Sequence, residues 1–150
     1  MRSIVVFLRA ADLKSVTGFL LRHFKPSTNG WMIDGNVYVY AGPFPEPAEQ
    51  DILPPDCSPS DYIEIMADVS GRIPGDEEVR EFLELVLTEF GGFVFDDYTG
   101  HPWTLEEIRH GHREQGHPFF DYRGWYDQYT RSEVSEEDPA RQEPRPPDHP

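Results

Sequence analysis

Residues 62–95, YIEIMADVSGRIPGDEEVREFLELVLTEFGGFVF, decide the fold class because they contain a strand, a helix and a second strand in succession. Residues 62–69 alternate between apolar and polar side chains, which is typical of a strand with one buried face. The buried face would consist of Ile63, Ile65, Ala67 and Val69. Residues 76–90 carry apolar side chains at helical spacing, and Gly91 suits the position after a helix end. Residues 93–95 then predict a short strand.

The N-terminal segment predicts another strand followed by a helix. Residues 3–8, SIVVFL, are apolar on both faces, which indicates a buried strand at the centre of a sheet. A helix is predicted for residues 12–24, with Pro26 ending it. Gly18 lowers the helix propensity of this segment, and we interpret it as a sign of close packing on the sheet.

A β-hairpin and a long loop follow this helix. Asp34-Gly35-Asn36 separates the apolar runs 31–33 and 37–40, and Asp-Gly between apolar runs is a strong hairpin signal. Residues 42–60 contain six prolines, which predicts a loop because proline cannot donate a ladder hydrogen bond.

The order of these elements predicts an α+β domain. We expect two helices packed on one face of a four- to five-stranded, mainly antiparallel sheet, in a ferredoxin-like βαβββαβ order with a short third helix. Residues 1–131 are predicted to form this single domain. Residues 132–150 hold five prolines, six acidic residues and two arginines, and we predict a disordered acidic, proline-rich tail.

The charge of the chain limits the partners that it suits. The formal net charge is −15, which disfavours nucleic acid and anionic membranes and favours a basic protein partner. Cys57 is the single cysteine, so neither an intramolecular disulfide nor a thiolate zinc cluster can form. No apolar run is long enough for a signal-peptide core or a membrane span, and we predict a cytoplasmic location. The oligomeric state stays open.

Residues 91–104, GGFVFDDYTGHPWT, come closest to an active-site signature. Thr104 and Glu107 match the capping box, which predicts a helix start at Thr104. Asp96 and Asp97 are then the residues at which the preceding strand emerges into solvent. The stretch is therefore interpreted as strand, turn and capped helix, with the two aspartates as part of a negative surface.

A metal-dependent enzyme is the alternative interpretation of this region. It would combine Asp96 and Asp97 with histidines, of which the candidates are His101, His110, His112 and His117. The sequence RHGHREQGH lacks the helical spacing of a HExxH zinc site, and its two glycines predict a loop. No nucleophile motif or phosphate-binding loop is present. The main prediction is therefore a protein that is not an enzyme, with no cofactor and no metal.

An aromatic segment, residues 119–129 with the sequence FFDYRGWYDQY, follows the histidines. These side chains either cover the remaining hydrophobic surface of the sheet or form a protein-binding surface. Tyr, Trp and Arg are enriched at interface hot spots, so Tyr122, Trp125 and Tyr126 are candidate contact residues.

Residues from about 60 to 110 resemble the small acidic immunity proteins of bacterial polymorphic toxin systems. The resemblance lies in DYIEIMADVSGR, the acidic helix after it, and GGFVFDDYTGHPWTLEEI. It implies a protein that is not an enzyme and that neutralises a cognate toxin by binding it. An adaptor or regulatory interaction domain of a different system is the alternative. The candidate partner-binding residues are Glu77, Glu81, Glu84, Asp96, Asp97, Tyr122, Trp125 and Tyr126.

Overall fold

The computed structural model describes residues 2–10, 12–27, 30–33, 35–42, 58 and 61–136. Residues up to Phe120 form one compact unit, and the helix that follows belongs to a second unit and is described by itself. The predictions that concern Asp34, Cys57, the proline-rich loop except Gly42 and Ser58, and residues 137–150 lie outside the described residues.

A six-stranded antiparallel sheet forms the centre of the first unit. Its strands are β1 (Arg2–Arg9), β2 (Lys25–Ser27), β3 (Gly30–Ile33), β4 (Val37–Gly42), β5 (Tyr62–Val69) and β6 (Gly92–Phe95). They lie in the order β2-β3-β4-β5-β1-β6, and each neighbouring pair is antiparallel. The four strands β4-β5-β1-β6 have the ferredoxin-like order, and β2 and β3 extend the sheet beyond β4.

The predicted mainly antiparallel α+β architecture is confirmed, and the sheet has six strands where four to five were predicted. The additional strand is β2, which contains Pro26. We interpreted this proline only as a helix stop. Because β2 lies at the edge of the sheet, the missing N–H of Pro26 costs no interior ladder bond.

The two faces of β1 explain why its sequence is apolar throughout. Ile4, Val6 and Leu8 belong to the main core, together with the helices. Phe7 points to the other face and forms a second cluster with Tyr62, Phe93 and Phe95. Gly92 pairs with Leu8, and a Cβ at Gly92 would collide with the Phe7 carbonyl oxygen, so this pairing requires a glycine.

Four helices complete the described structure: α1 (Leu13–His23), α2 (Asp76–Phe90), α3 (Leu105–Arg109) and α4 (Tyr122–Glu136). Asp12 caps α1 by accepting a hydrogen bond from the Ser15 amide. A Cβ placed on Gly18 would approach only the Arg22 side chain, at 3.7 Å, so the predicted close packing of Gly18 on the sheet is wrong. The bounds of α2 match the prediction, and the buried residues of α2 are Val79, Phe82, Leu83, Val86 and Leu87.

The segment after β6 is folded by local hydrogen bonds. Trp103 makes an isolated antiparallel bridge to Val94, and Thr104 begins α3 with the predicted capping box. The residues predicted as a loop contain a small hairpin of β7 (Arg113–Glu114) and β8 (His117–Pro118). Its turn uses Gln115 and Gly116, both at positive φ.

The end of the predicted domain requires a correction. Phe119 and Phe120 are buried in the main core, and the first unit ends there instead of at residue 131. α4 continues to Glu136, so residues 132–136, which we predicted as disordered tail, are helical. Among the described residues, no helix has the length and apolar character needed to cross a bilayer.

Candidate functional site

Two histidines and two glutamates meet beside the start of α3, and we call them the His–Glu cluster: His101, Glu107, His112 and Glu114. His101 lies in the turn before α3, Glu107 lies on α3, and His112 and Glu114 lie at the hairpin that follows. The fold brings them together in three steps. The Val94–Trp103 bridge fixes the chain next to His101, the capping box turns Glu107 back toward the helix start, and the chain then reverses into β7.

The side chains of the His–Glu cluster are within hydrogen-bond distance of one another. His101 Nε2 lies 3.0 Å from Glu107 Oε2, and His101 Nδ1 lies 3.0 Å from Glu114 Oε1. His112 Nε2 lies 3.1 Å from Glu114 Oε1 and 3.5 Å from Glu107 Oε2. One ligand atom each from His101, Glu107 and His112 all lie within 4.8 Å of one another.

Burial and hydrogen bonding act in opposite directions on Glu107. Burial raises the pKa of its carboxyl group, but the Thr104 amide and the nearby His101 and His112 outweigh that effect and leave the pKa below its ordinary value. Trp103 is fully buried, and its ring contacts both imidazoles edge-on, with centroid distances of 5.0 Å to His101 and 5.7 Å to His112. The charged form of Glu107 is thus favoured, and the cluster is bordered by the apolar ring of Trp103.

Imidazole nitrogens and carboxylate oxygens in this arrangement are ligands for a divalent transition metal. The other two candidate histidines do not join them. His110 is largely exposed and lies 3.5 Å from Glu106, on the outside of α3. His117 is a buried residue of β8. The structure therefore brings together two of the four histidines, and it joins them to glutamates instead of to Asp96 and Asp97.

Asp96 has a structural role at the end of β6. Only 8% of its surface is exposed, and its Oδ1 accepts hydrogen bonds from the amides of Tyr98 and Thr99 at 3.1 and 3.0 Å. Its Oδ2 accepts from the buried Phe120 amide at 3.0 Å. The prediction that Asp96 belongs to an exposed negative surface is wrong, because its carboxylate holds the turn and the Phe119–Phe120 segment in place.

Asp97 differs from its neighbour and remains exposed. Its Oδ2 accepts a hydrogen bond from the Ser3 amide at 2.6 Å, while Ser3 Oγ donates to Asp68 at 2.6 Å. Desolvation raises the pKa of the Asp97 carboxyl, and the nearby Asp96 and Asp68 raise it further, against the Ser3 hydrogen bond. Two acidic side chains, Asp97 and Asp68, are thus held close to the same serine.

The three predicted glutamates of α2 lie on its outward face. Glu77, Glu81 and Glu84 are exposed and follow one another at helical spacings of four and three. Glu84 makes a two-pronged ion pair with Arg109 of α3, with N–O distances of 2.7 and 2.8 Å. Among the residues that the structure describes, no cation lies within ion-pair distance of Glu77 or Glu81.

The predicted aromatic contact residues all lie on α4. Tyr122, Trp125 and Tyr126 are spaced by three and one positions, so they share one side of this helix. Their role in binding a partner stays a prediction.

Sequence reasoning missed the two glutamates of the His–Glu cluster. A signal for Glu107 was present, because the glutamate of a capping box reaches back to the residues before the helix, where His101 lies. Glu114 had no such signal, since its position depends on the hairpin of β7 and β8.

Comparisons of this chain with family models, with curated proteins and with solved structures gave no match.

Proposed function

We propose that this chain is a protein-binding protein, without enzymatic activity, that recognises a basic partner protein through the outward face of α2. The observation that carries the proposal is the exposed acidic row of Glu77 and Glu81, to which no cation of the described residues is paired. We further propose, from the resemblance described above, that the partner is a cognate bacterial toxin that is neutralised by binding.

The charge distribution on α2 supports a basic partner. Its sequence, DEEVREFLELVLTEF, holds six acidic residues and one arginine. The three acids of the first turn are favourable for the helix because they lie near the positive end of its dipole. Glu81, Glu84 and Glu89 lie beyond that turn, where the dipole gives them no such benefit. Glu84 pairs with Arg109, whereas helix stability does not account for Glu81 or Glu89.

A surface of this kind acts on a partner in two ways. It attracts a positively charged protein over about a Debye length, which raises the association rate at low salt. It also orients the complex, since like charges would disfavour other approaches. The exposed side chain of Leu85, next to Glu81 and Glu84 on the same face, adds apolar area to the contact.

The first experiment tests neutralisation. The product of the adjacent gene is expressed in a bacterial host with and without this chain, and growth is measured. We expect growth to be arrested by the neighbour alone and restored by co-expression. A neighbour that is harmless, or equally toxic in both strains, would overturn the toxin part of the proposal. A stable complex with a partner that is not a toxin would instead indicate an adaptor.

The second experiment tests the surface and uses a matched pair of variants. Glu81→Lys reverses one charge in the acidic row, and Asp61→Lys reverses the charge of an exposed aspartate just before β5, outside α2. Association with the purified partner is followed by stopped-flow fluorescence at several salt concentrations. We expect Glu81→Lys to slow association about 10-fold at low salt and Asp61→Lys to slow it much less. Equal effects of the two variants would exclude the outward face of α2 as the contact.

A further inference from the structure

We propose that the His–Glu cluster is a binding site for a divalent transition metal of the zinc class, in which His101, Glu107 and His112 are the ligands and Glu114 orients His101. The proposal does not depend on the proposed function, because a metal site on residues 101–114 and a binding face on α2 can each exist without the other.

Two of the three distances between the ligand atoms lie close to the edge of a zinc coordination tetrahedron. With metal–ligand bonds of about 2.0–2.1 Å, two ligand atoms of tetrahedral zinc lie about 3.3–3.4 Å apart. His101 Nε2 and Glu107 Oε2 are 3.0 Å apart, and His112 Nε2 and Glu107 Oε2 are 3.5 Å apart. One ligand atom from each of the three residues lies within 4.8 Å of the others, so side-chain movements of about 1 Å bring all three to bonding distance of one ion.

Each of the first two ligands is held by a second group, as is usual around bound metals. His101 presents Nε2 to Glu107, while its opposite nitrogen, Nδ1, lies 3.0 Å from Glu114 Oε1. Glu107 accepts from the Thr104 amide through Oε1 at 2.9 Å, so Oε2 remains for the ion. Glu114 Oε1 also lies 3.1 Å from His112 Nε2, and metal binding would exchange this contact for a metal–nitrogen bond.

The surroundings and the ligand types favour zinc over other biological cations. The buried ring of Trp103 lines the cluster on one side and lowers the local polarity, which strengthens bonds to an ion. Two imidazoles and one carboxylate leave one position of a tetrahedron open. Calcium and magnesium favour sets made of oxygen ligands alone, which the two histidines do not supply.

The alternative is that the four side chains form only a network of ion pairs. In that case the imidazoles and the carboxylates would hold one another through the contacts described above, without any metal ion. Direct titration with zinc distinguishes the two cases, because an ion-pair network has no saturable affinity for the metal.

The experiment uses the full untagged chain after treatment with a chelator, and its probe is zinc chloride. Isothermal titration calorimetry gives the affinity, and elemental analysis after gel filtration gives the stoichiometry. We expect one zinc ion per chain. At free zinc 100-fold above Kd, we expect the thermal midpoint to rise by roughly 10 °C.

His112→Ala and His110→Ala are the matched pair of variants. Both remove an exposed histidine from the same segment, but only His112 belongs to the cluster, and neither contributes to the capping box. We expect His112→Ala to weaken zinc binding at least 100-fold and His110→Ala to change it less than twofold. Glu114→Gln, which removes the charge beside His101, should weaken binding about 10- to 100-fold.

Three results would overturn the proposal. The first is the absence of saturable binding by the folded wild-type chain, with folding checked by circular dichroism. The second is equal zinc affinity of the His112→Ala and His110→Ala variants, which would place the ion elsewhere. The third is a stoichiometry that rises steadily with zinc concentration, which would indicate adventitious binding to surface carboxylates. If His112→Ala fails to fold, His112→Gln replaces it in the same comparison.

Discussion

The outward face of α2 and the segment from residue 96 to 114 are both acidic, yet their carboxylates have different surroundings. On α2, Glu77 and Glu81 extend into solvent, and Glu84 pairs with Arg109. In the segment, Asp96 holds backbone amides, Glu107 caps a helix, and Glu114 contacts two histidines. The difference teaches that acidic residues mark a candidate binding surface only where the fold has given them no other partner.

Removal of Asp96 tests whether the carboxylates of residues 96–114 stabilise the fold, and it should have the largest effect. Asp96→Ala leaves three backbone amides without their acceptor, one of them in the buried Phe120. We expect the free energy of unfolding to fall by about 3 kcal/mol and the thermal midpoint to fall by roughly 10 °C. Urea denaturation measures the first quantity and calorimetry the second. Asp97→Ala is the adjacent control, and an equally large loss in that variant would contradict the distinction.

Thr104→Ala tests the helix cap in the same segment. Thr104 Oγ1 accepts from the Glu107 amide at 3.2 Å, and alanine cannot replace this bond. We expect a loss of about 1 kcal/mol and a decrease of about 4 °C in the thermal midpoint, measured with a chelator present. Thr88→Ala, at an exposed position inside α2, should leave stability unchanged or slightly higher. A comparable loss in Thr88→Ala would mean that the cap has no special role.

Asp97→Asn should act in the opposite direction from Asp96→Ala. The pKa of Asp97 is raised in the folded chain, so the folded state binds its proton more tightly and loses stability as pH rises above the ordinary value of 3.8. Asparagine removes the charge and can still accept from the Ser3 amide. We expect the thermal midpoint to rise by about 2 °C at pH 7, with the gain disappearing below about pH 4. A variant that is less stable than the wild type at pH 7 would contradict this sign.

Glu84→Gln should give the smallest effect, and it tests the acidic face of α2. The hydrogen bonds from Arg109 lower the pKa of the Glu84 carboxyl and outweigh the effect of its desolvation. The ion pair therefore stabilises the folded chain at pH values above the ordinary pKa of 4.5. This stabilisation is lost as pH falls through the lowered pKa. Because the pair is exposed, we expect a decrease of only about 1 °C at pH 7. Melting curves recorded from pH 7 down to acidic pH should show that the difference between variant and wild type is largest at pH 7 and shrinks as pH falls below 4.5.

Local sequence signals predicted the elements whose structure depends on nearby residues. The periodicity of α2 gave its bounds, and the Thr104–Glu107 pair gave the start of α3. The Asp-Gly dipeptide in the sequence predicted the pairing of β3 and β4. β2 was missed because three residues with a central proline resemble a linker, and only their pairing with β3 makes them a strand.

The candidate sites depended on contacts between distant residues, which periodicity does not contain. Asp96 looked like a solvent-exposed acid because its third hydrogen bond comes from Phe120, 24 positions later in the chain. His101 and His112 are eleven positions apart, and they meet only because α3 and the turn after it reverse the chain. Their pairing with glutamates instead of with Asp96 and Asp97 is the part that no local pattern indicated.

The two borders of the sheet limit how another polypeptide can attach to it. At one border, Pro26 lies in the middle of β2 and has no amide hydrogen to donate to an added strand. At the other border, Val94 of β6 is already paired with Trp103. The Val94 amide donates to the Trp103 carbonyl at 2.9 Å, and the Trp103 amide donates to the Val94 carbonyl at 2.8 Å. Lateral extension by an added strand, a common route both to recognition and to aggregation, is therefore obstructed at both borders. Recognition by the described residues would then use side chains instead of main-chain pairing, and a single surface substitution can change such a contact without disturbing the scaffold.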